Sequence, residues 1–264
     1  MSVAVIHGAS RGIGLALASQ FLRRTNFDVV TTGRSSLPPL PDSNGRHMHI
    51  ETDLANDQSV ARAAKSVADK YGKVCIRALV CTAGYLKPEK TITAIDVEEA
   101  EKHFKINAIA PMLVGKHFSP LIQFPKRGGT LGGNSASLGK SAPASGKDDE
   151  PFNLPIWAHI SARTGSIGDN RLGGWYSYRM SKAAINQLTR TLAVELGRKG
   201  AVVVSLHPGT VRTELSRKYI THLAEGHQLF DPDQAAEKLF DVMAGLGEAE
   251  NGRFFDYARK EIVW

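Results

Sequence analysis

The sequence predicts an α/β protein with a doubly wound parallel sheet of about seven strands, formed as one domain over residues 1–264. Three observations lead there. Short β-branched apolar runs alternate with longer stretches of helical period, which is the pattern of βαβ units. The chain opens on one such run and passes directly into a glycine-rich turn and an amphipathic stretch. Its 42% hydrophobic and 22% charged residues are those of a globular chain with a sizeable core.

Taken in order, a first strand is expected at 3–7 and a helix at 14–24. The run from Asp28 to Thr32 predicts the second strand, and 47–52 the third, with a Pro/Ser/Asn/Gly loop at 35–45 between them. Residues 59–71 read as a helix because Val60, Ala63, Ala64 and Val67 recur at i, i+3, i+4 and i+7. A fourth strand is expected at 77–81, and 97–124 reads as one long helix carrying Pro111. Then come a strand at 155–160, a helix at 177–198 and a strand at 202–207. A helix opened by Asp231-Pro232 runs to 243, and 254–257 is the seventh strand. Residues 126–155, rich in Gly, Ser, Ala and Pro without a period, read as a surface insertion. It precedes a strand, so it is expected on the rim away from the strands' carboxyl ends, where ligands bind in open parallel sheets.

Composition narrows the function. Lys+Arg 33 against Asp+Glu 26 gives a net charge of +7 without a block of five like charges, so no nucleic-acid-binding arm is expected. No apolar run approaches the length of a transmembrane helix, and the start lacks the charged region of a signal peptide. Cys75 and Cys81 lack a CxxC spacing, and the 9 histidines lack ligand spacing, so neither disulfide nor metal is expected. A cytoplasmic protein is what these readings predict.

The turn Gly8-Ala9-Ser10-Arg11-Gly12-Ile13-Gly14 lies between strand and helix. Glycines there let backbone approach a pyrophosphate, and the helix N-terminus offers it free N–H groups. The second strand ends Thr32-Gly33-Arg34-Ser35 with no acid to hold a ribose diol. Arg34, and Arg11 beside it, would instead accommodate the 2′-phosphate of NADP. Tyr178 and Lys182 stand at i, i+4 on one helix face. An ammonium beside a phenol lowers its pKa, which suits a proton donor to a carbonyl oxygen. Tyr85, Trp175 and Tyr176 are candidates for a pocket mouth, and Arg163, Asp169, Asn170 and Arg171 for a polar loop that either touches substrate or is pinned by ion pairs.

Together these residues resemble the short-chain dehydrogenase/reductase family along nearly the whole chain, with Ser177 to Asn186 and the ending after Gly252 similar to its sniffer-like carbonyl reductases and C-factor group. The resemblance implies a Rossmann fold and NADP-dependent reduction of a small carbonyl compound, or oxidation of the alcohol. By it, Gly8, Ser10, Arg11, Gly12, Ile13 and Gly14 hold the cofactor with Arg34, Ser35, Asp53, Leu54, Ala83 and Gly84. Pro208, Gly209, Val211 and Thr213 close over the nicotinamide. Tyr178 gives the proton, Lys182 lowers its pKa and holds the ribose, and Asn107 supports a proton-relay water; all three also contact the cofactor. Pairing into a homodimer or homotetramer through helices 97–124 and 177–198 is implied as well. Four residues in three places depart from the pattern. Cys81-Thr82 stands for Asn-Asn, His7 for Thr, and Ala162 for the second serine of Ser-Ser-x-x-Gly. Ser161 could serve if the strand ends in a bulge, and Ser166 could serve from the loop. The altered serine leaves a second reading, a dinucleotide-binding signalling protein of C-factor type with little turnover.

Overall fold

The computed structural model describes residues 2–37, 40–41, 43–125, 151–220 and 228–264. Seven parallel strands form the central sheet: β1 (Val3–His7), β2 (Asp28–Gly33), β3 (His47–Glu51), β4 (Ile76–Cys81), β5 (Ile156–Ile160), β6 (Val202–His207) and, at its edge, Phe254–Asp256. Their spatial order places β3, β2, β1 on one side of the start and β4, β5, β6 on the other. The winding reverses between β1 and β4, so a crevice opens beyond the carboxyl ends of those two strands.

Both faces of the sheet are covered, which is why its inner strands are apolar runs and not alternating ones. On one face, Leu17 and Phe21 of α1 (Gly12–Arg24), with Phe240 from near the chain's end, pack onto Ala4, Ile6 and Ala158. On the other, α2 (Asp57–Tyr71) packs Val60, Ala63 and Val67 onto Val5, Val30 and Leu79. The side chain of Asn56 starts α2 by accepting from the Ser59 amide at 2.9 Å.

The expected long helix over 97–124 is broken. It consists of α3 (Val97–Phe104), a π-turn (Lys105–Ile109), α4 (Ala110–Phe118) and a 3-10 turn (Ser119–Leu121). Pro111 lies in the first turn of α4, where a missing N–H costs little. Residues 122–124 run alongside β4, with Gln123 N–H donating to Ile76 O at 2.8 Å. Next come α5 (Tyr176–Gly197) and a ladder that the periodicity did not show: β7 (Thr210–Val211) pairs in parallel with β8 (Leu229–Phe230). The chain closes with α6 (Pro232–Ala244), whose first turn carries a capping box from Asp231 and Gln234, and with β9, the Phe254–Asp256 strand. Residues 126–150 of the expected insertion lie outside the described residues. Its last residues lead into the amino end of β5, where the Phe152 ring packs with Phe21 and Phe240 at 5.3 and 5.4 Å.

Candidate active site

The β1 side of the crevice is built from backbone. Gly8 has φ +80°, and a Cβ there would lie 2.6 Å from the Ala83 nitrogen; one on Gly14 would lie 2.5 Å from Thr82 Oγ1 and 2.7 Å from Gly8 O. The turn after β1 and the end of β4 therefore touch without side chains between them. Arg11, extended at the start of α1, offers no side-chain cap, and the first helical turn holds no acid. Ser10 and Ile13 stand in that turn, partly buried, so the free amides and the positive end of the helix dipole face the rim. Thr82 takes over bracing from the missing Asn-Asn, donating to His7 O at 2.8 Å and Gly8 O at 3.1 Å. His7 acts as a core residue. Its Nδ1 bonds Thr32 Oγ1 at 2.9 Å, its ring meets Phe118 edge-on, and burial pulls its pKa down to about 3.

At the end of β2 the two expected cations differ. Arg34 is exposed and makes no ion pair or hydrogen bond among the described residues, whereas Arg11 is ion-paired with Glu214. Ser35 holds its carbonyl 2.9 Å from His49 Nε2. Exposed Asp53 accepts from the Ala55 amide at 3.0 Å, and Leu54 leans on the α2-side core.

Side chains build the other wall. Lys182 is buried and donates from Nζ to the Ile160 carbonyl at 2.9 Å, with Nζ 5.7 Å from the centre of the Tyr178 ring. Burial lowers its pKa to about 8 and raises that of the equally buried Tyr178 phenol. This differs from the expectation that Lys182 depresses the phenol: burial is the cause that moves it, and it moves it up. Asn107 stands inside the π-turn, fully buried. Its Oδ1 accepts from Tyr85 N–H at 2.7 Å, and its Nδ2 lies 2.9 Å from both Tyr85 O and Ser181 Oγ. That side chain is thus committed to clamping α5 against the end of β4. A Cβ on Gly84 would lie 3.7 Å from Asn107 Oδ1 and 3.9 Å from Lys182 Nζ, so these three residues converge.

The two candidate serines separate cleanly. Pairing of β5 with β6 runs in one register through Ile160 and Leu206, and Ser161 N–H continues it to Leu206 O at 2.8 Å. No bulge intervenes, and the expectation that Ser161 needs one is corrected: regular alternation already turns it toward α5, because Ile160 packs on the α1 side. By strand alternation Ser161 lies on the side of His159, whose Nδ1 bonds Thr189 of α5 at 2.9 Å. The Ser161 hydroxyl is buried without a partner among the described residues. That of Ser166 donates to Val263 O at 2.5 Å and accepts from Asp169 N–H at 3.0 Å. Arg163 pins the same loop through Asp169 and Asp256, at 2.9 and 3.2 Å.

After β6, Pro208 and Gly209 (φ +80°) turn the chain back over the crevice. Val211 of β7 packs with Phe230, and Thr213 Cγ2 lies 3.5 Å from where a Cβ on Gly12 would stand. Sequence reasoning missed the supports behind the site. Buried Glu89 accepts from the Ser177 hydroxyl, and Glu99 accepts from the Tyr85 hydroxyl and from Lys87 Nζ. These partners are far apart in the chain, and no local pattern marks them.

Residues 2–132 and 160–224 match the family model described as short chain dehydrogenase. The chain belongs to the short-chain dehydrogenase family. Among solved structures, a carbonyl reductase from chicken fatty liver, described as NADPH-bound, is similar at 26% identity and a TM-score of 0.78, over 100% of this chain and 94% of that one. Carbonyl reductase Sniffer of D. melanogaster is similar at 25% identity and a TM-score of 0.79, over 100% and 99%. C-signal of Myxococcus xanthus is 40% identical over 107 residues, 40% of this short-chain dehydrogenase and 60% of C-signal. Among the described residues, no group of acids, histidines and cysteines could hold a metal, and no helix is long and apolar enough to cross a membrane.

Proposed function

We propose that this short-chain dehydrogenase moves hydride between NADP and a small carbonyl compound or its alcohol, with Tyr178 as the proton donor. The observation that carries the reading is the convergence of Tyr178, Lys182 and Asn107 across the crevice from an uncapped, glycine-lined helix N-terminus. NADPH-bound carbonyl reductase of chicken supports it through its likeness over the whole chain. The residues present fit the dinucleotide. Gly8 and Gly14 let the turn press against the end of β4 without side chains between, and the free α1 amides would bind a pyrophosphate. Arg34, exposed and without a partner among the described residues, and with no acid at the end of β2, would take the 2′-phosphate. Ala83 and Gly84 would flank the cofactor beside Lys182, with Thr213 over Gly12.

When bound, NADPH supplies the hydride. The chain's own part is proton transfer and orientation. Tyr178 Oη donates to the substrate oxygen as negative charge develops there. Lys182, with a pKa near 8, is mostly an ammonium at neutral pH and stabilises the phenolate left behind. Ser161, with its uncommitted hydroxyl, hydrogen-bonds the same oxygen, and Asn107 keeps the Tyr85 segment and α5 in register. Two or four copies would pair through α4 and α5, where Met112, Met180 and Val194 are exposed.

The C-signal similarity favours a second reading, a signalling protein with little turnover. NADPH oxidation against a panel of aldehydes, ketones and quinones separates the two. Turnover that Tyr178→Phe removes supports the enzyme; NADPH binding without turnover on any carbonyl supports the signalling protein.

A further inference from the structure

A continuous hydrogen-bonded chain lies under the end of β2, outside the crevice. Ser35 O is 2.9 Å from His49 Nε2, His49 Nδ1 is 2.8 Å from Thr31 Oγ1, Thr31 Oγ1 is 2.8 Å from His47 Nε2, and His47 Nδ1 is 3.3 Å from Leu40 N. The strands dictate this grouping. Thr31 is the register partner of His49 in the β2–β3 pair, and His47 stands two residues before His49, on the same face.

The two ends set the direction of every bond. A carbonyl only accepts, so His49 carries its proton on Nε2; a backbone amide only donates, so His47 Nδ1 is bare. With both rings neutral, the Thr31 hydroxyl donates to His49 Nδ1 and accepts from His47 Nε2–H. All four bonds are then satisfied in one sense, and no other neutral arrangement satisfies them. Burial, the largest cause, lowers the His47 pKa, in keeping with a neutral ring.

Ser35 follows Arg34, whose side chain is exposed and has no partner among the described residues. We propose that Thr31, His47 and His49 form a neutral relay that fastens the backbone at Ser35 and Leu40 to the sheet edge and so preorganises Arg34 and Ser35 for an adenosine 2′-phosphate. The three are positioning residues for cofactor selection; the proposal rests on the reading that the chain uses NADP. Preorganisation acts by removing the ordering cost of the binding segment, so its loss weakens the phosphate-bearing ligand selectively.

Two variants of the full chain test it. Thr31→Val cuts the relay at its centre while keeping a β-branched strand residue, and His49→Phe keeps the ring volume without its nitrogens. Calorimetry compares adenosine 2′,5′-bisphosphate with 5′-AMP. Each variant is expected to weaken the bisphosphate about three- to tenfold, as loss of one or two hydrogen bonds implies, and to leave 5′-AMP unchanged. Imidazole ¹⁵N spectra of the unmodified protein are expected to show His47 and His49 as neutral Nε2–H tautomers. An Nδ1–H tautomer on either ring, equal weakening of both ligands, or no weakening of the bisphosphate overturns the relay. In those cases the NADP reading still stands on the unmodified protein's own preference for the bisphosphate. If the unmodified protein lacks that preference, the NADP reading fails and the positioning role fails with it.

Discussion

At the end of β1 the crevice is walled by backbone: Gly8 and Gly14 approach Ala83 and Thr82 so closely that no Cβ fits between them. At the ends of β4 and β5 it is walled by side chains, with Asn107, Tyr178 and Lys182 reaching in from the π-turn and α5. The first wall presents the free amides of an uncapped helix N-terminus, an arrangement that favours an anion by its charge. The second presents ionisable groups whose burial changes their chemistry, as the opposite pKa shifts of Tyr178 and Lys182 show. The difference teaches that binding and turnover are separable here, and substitutions should divide them.

The sharpest division comes from Tyr178→Phe. It removes the proposed proton donor and leaves the glycine wall intact, so turnover should fall about 10²- to 10⁴-fold while the NADPH dissociation constant stays nearly constant. Fluorescence titration beside steady-state kinetics checks both, and near-normal kcat would refute the assignment.

Acid should instead break the two walls together. His7 and His159 are held neutral by burial down to about pH 3, and His207 to about pH 4, against a usual value of 6.5. Below 6.5 the unfolded chain binds protons that the native state refuses, so stability falls as pH drops toward 4, by about 1.4 kcal/mol per pH unit for each histidine. Urea midpoints measured across that range give the slope, which should shrink in His159→Gln.

On the backbone wall, Gly14→Ala drives a methyl onto Thr82 Oγ1 and Gly8 O. Overpacking of this kind costs about 1–3 kcal/mol, and both the melting temperature and NADPH affinity should fall. Unchanged values for both would mean that the turn relaxes freely. At the edge of that wall, Arg34→Ala should reduce the NADPH-to-NADH ratio of kcat/KM by about tenfold, from one lost charge-assisted bond. Substituting Gly33 is a poorer test, because a Cβ there would lie 3.0 Å from Ser10 Cβ. The smallest effect is expected at Glu214. Its ion pair with Arg11 is exposed, so Glu214→Gln should free Arg11 and tighten NADPH only about twofold, the scale of a surface pair. Weaker binding instead would show that the pair holds the segment after β7 in place.

Most of the architecture was legible in the sequence because parallel strands covered on both faces must be apolar runs, and amphipathic helices must repeat their apolar positions. The helix over 97–124 was misread as continuous for a specific reason. A π-turn of five residues, Lys105–Ile109, continues the helical path with no glycine or proline to mark a boundary, so the sequence shows no break there. The ladder of β7 and β8 was missed because two-residue strands carry no period. Asn107 itself was found through the family resemblance, yet its role as a clamp between Tyr85 and Ser181 required contacts from three elements.

Sequence alone determined the strand and helix order, the glycine turn, and the pairing of Tyr178 with Lys182 on one helical face, since each depends on neighbours within a few residues. Tertiary structure decided which serine keeps a free hydroxyl and which arginine remains unpaired among the described residues, and which way burial moves Tyr178 and Lys182. Those outcomes turn on Val263 bonding Ser166, Glu214 pairing with Arg11, and the packing that removes water from Tyr178 and Lys182. Chain separation hides such partners, because hydrogen bonding and desolvation act through space, and only the folded chain sets those distances.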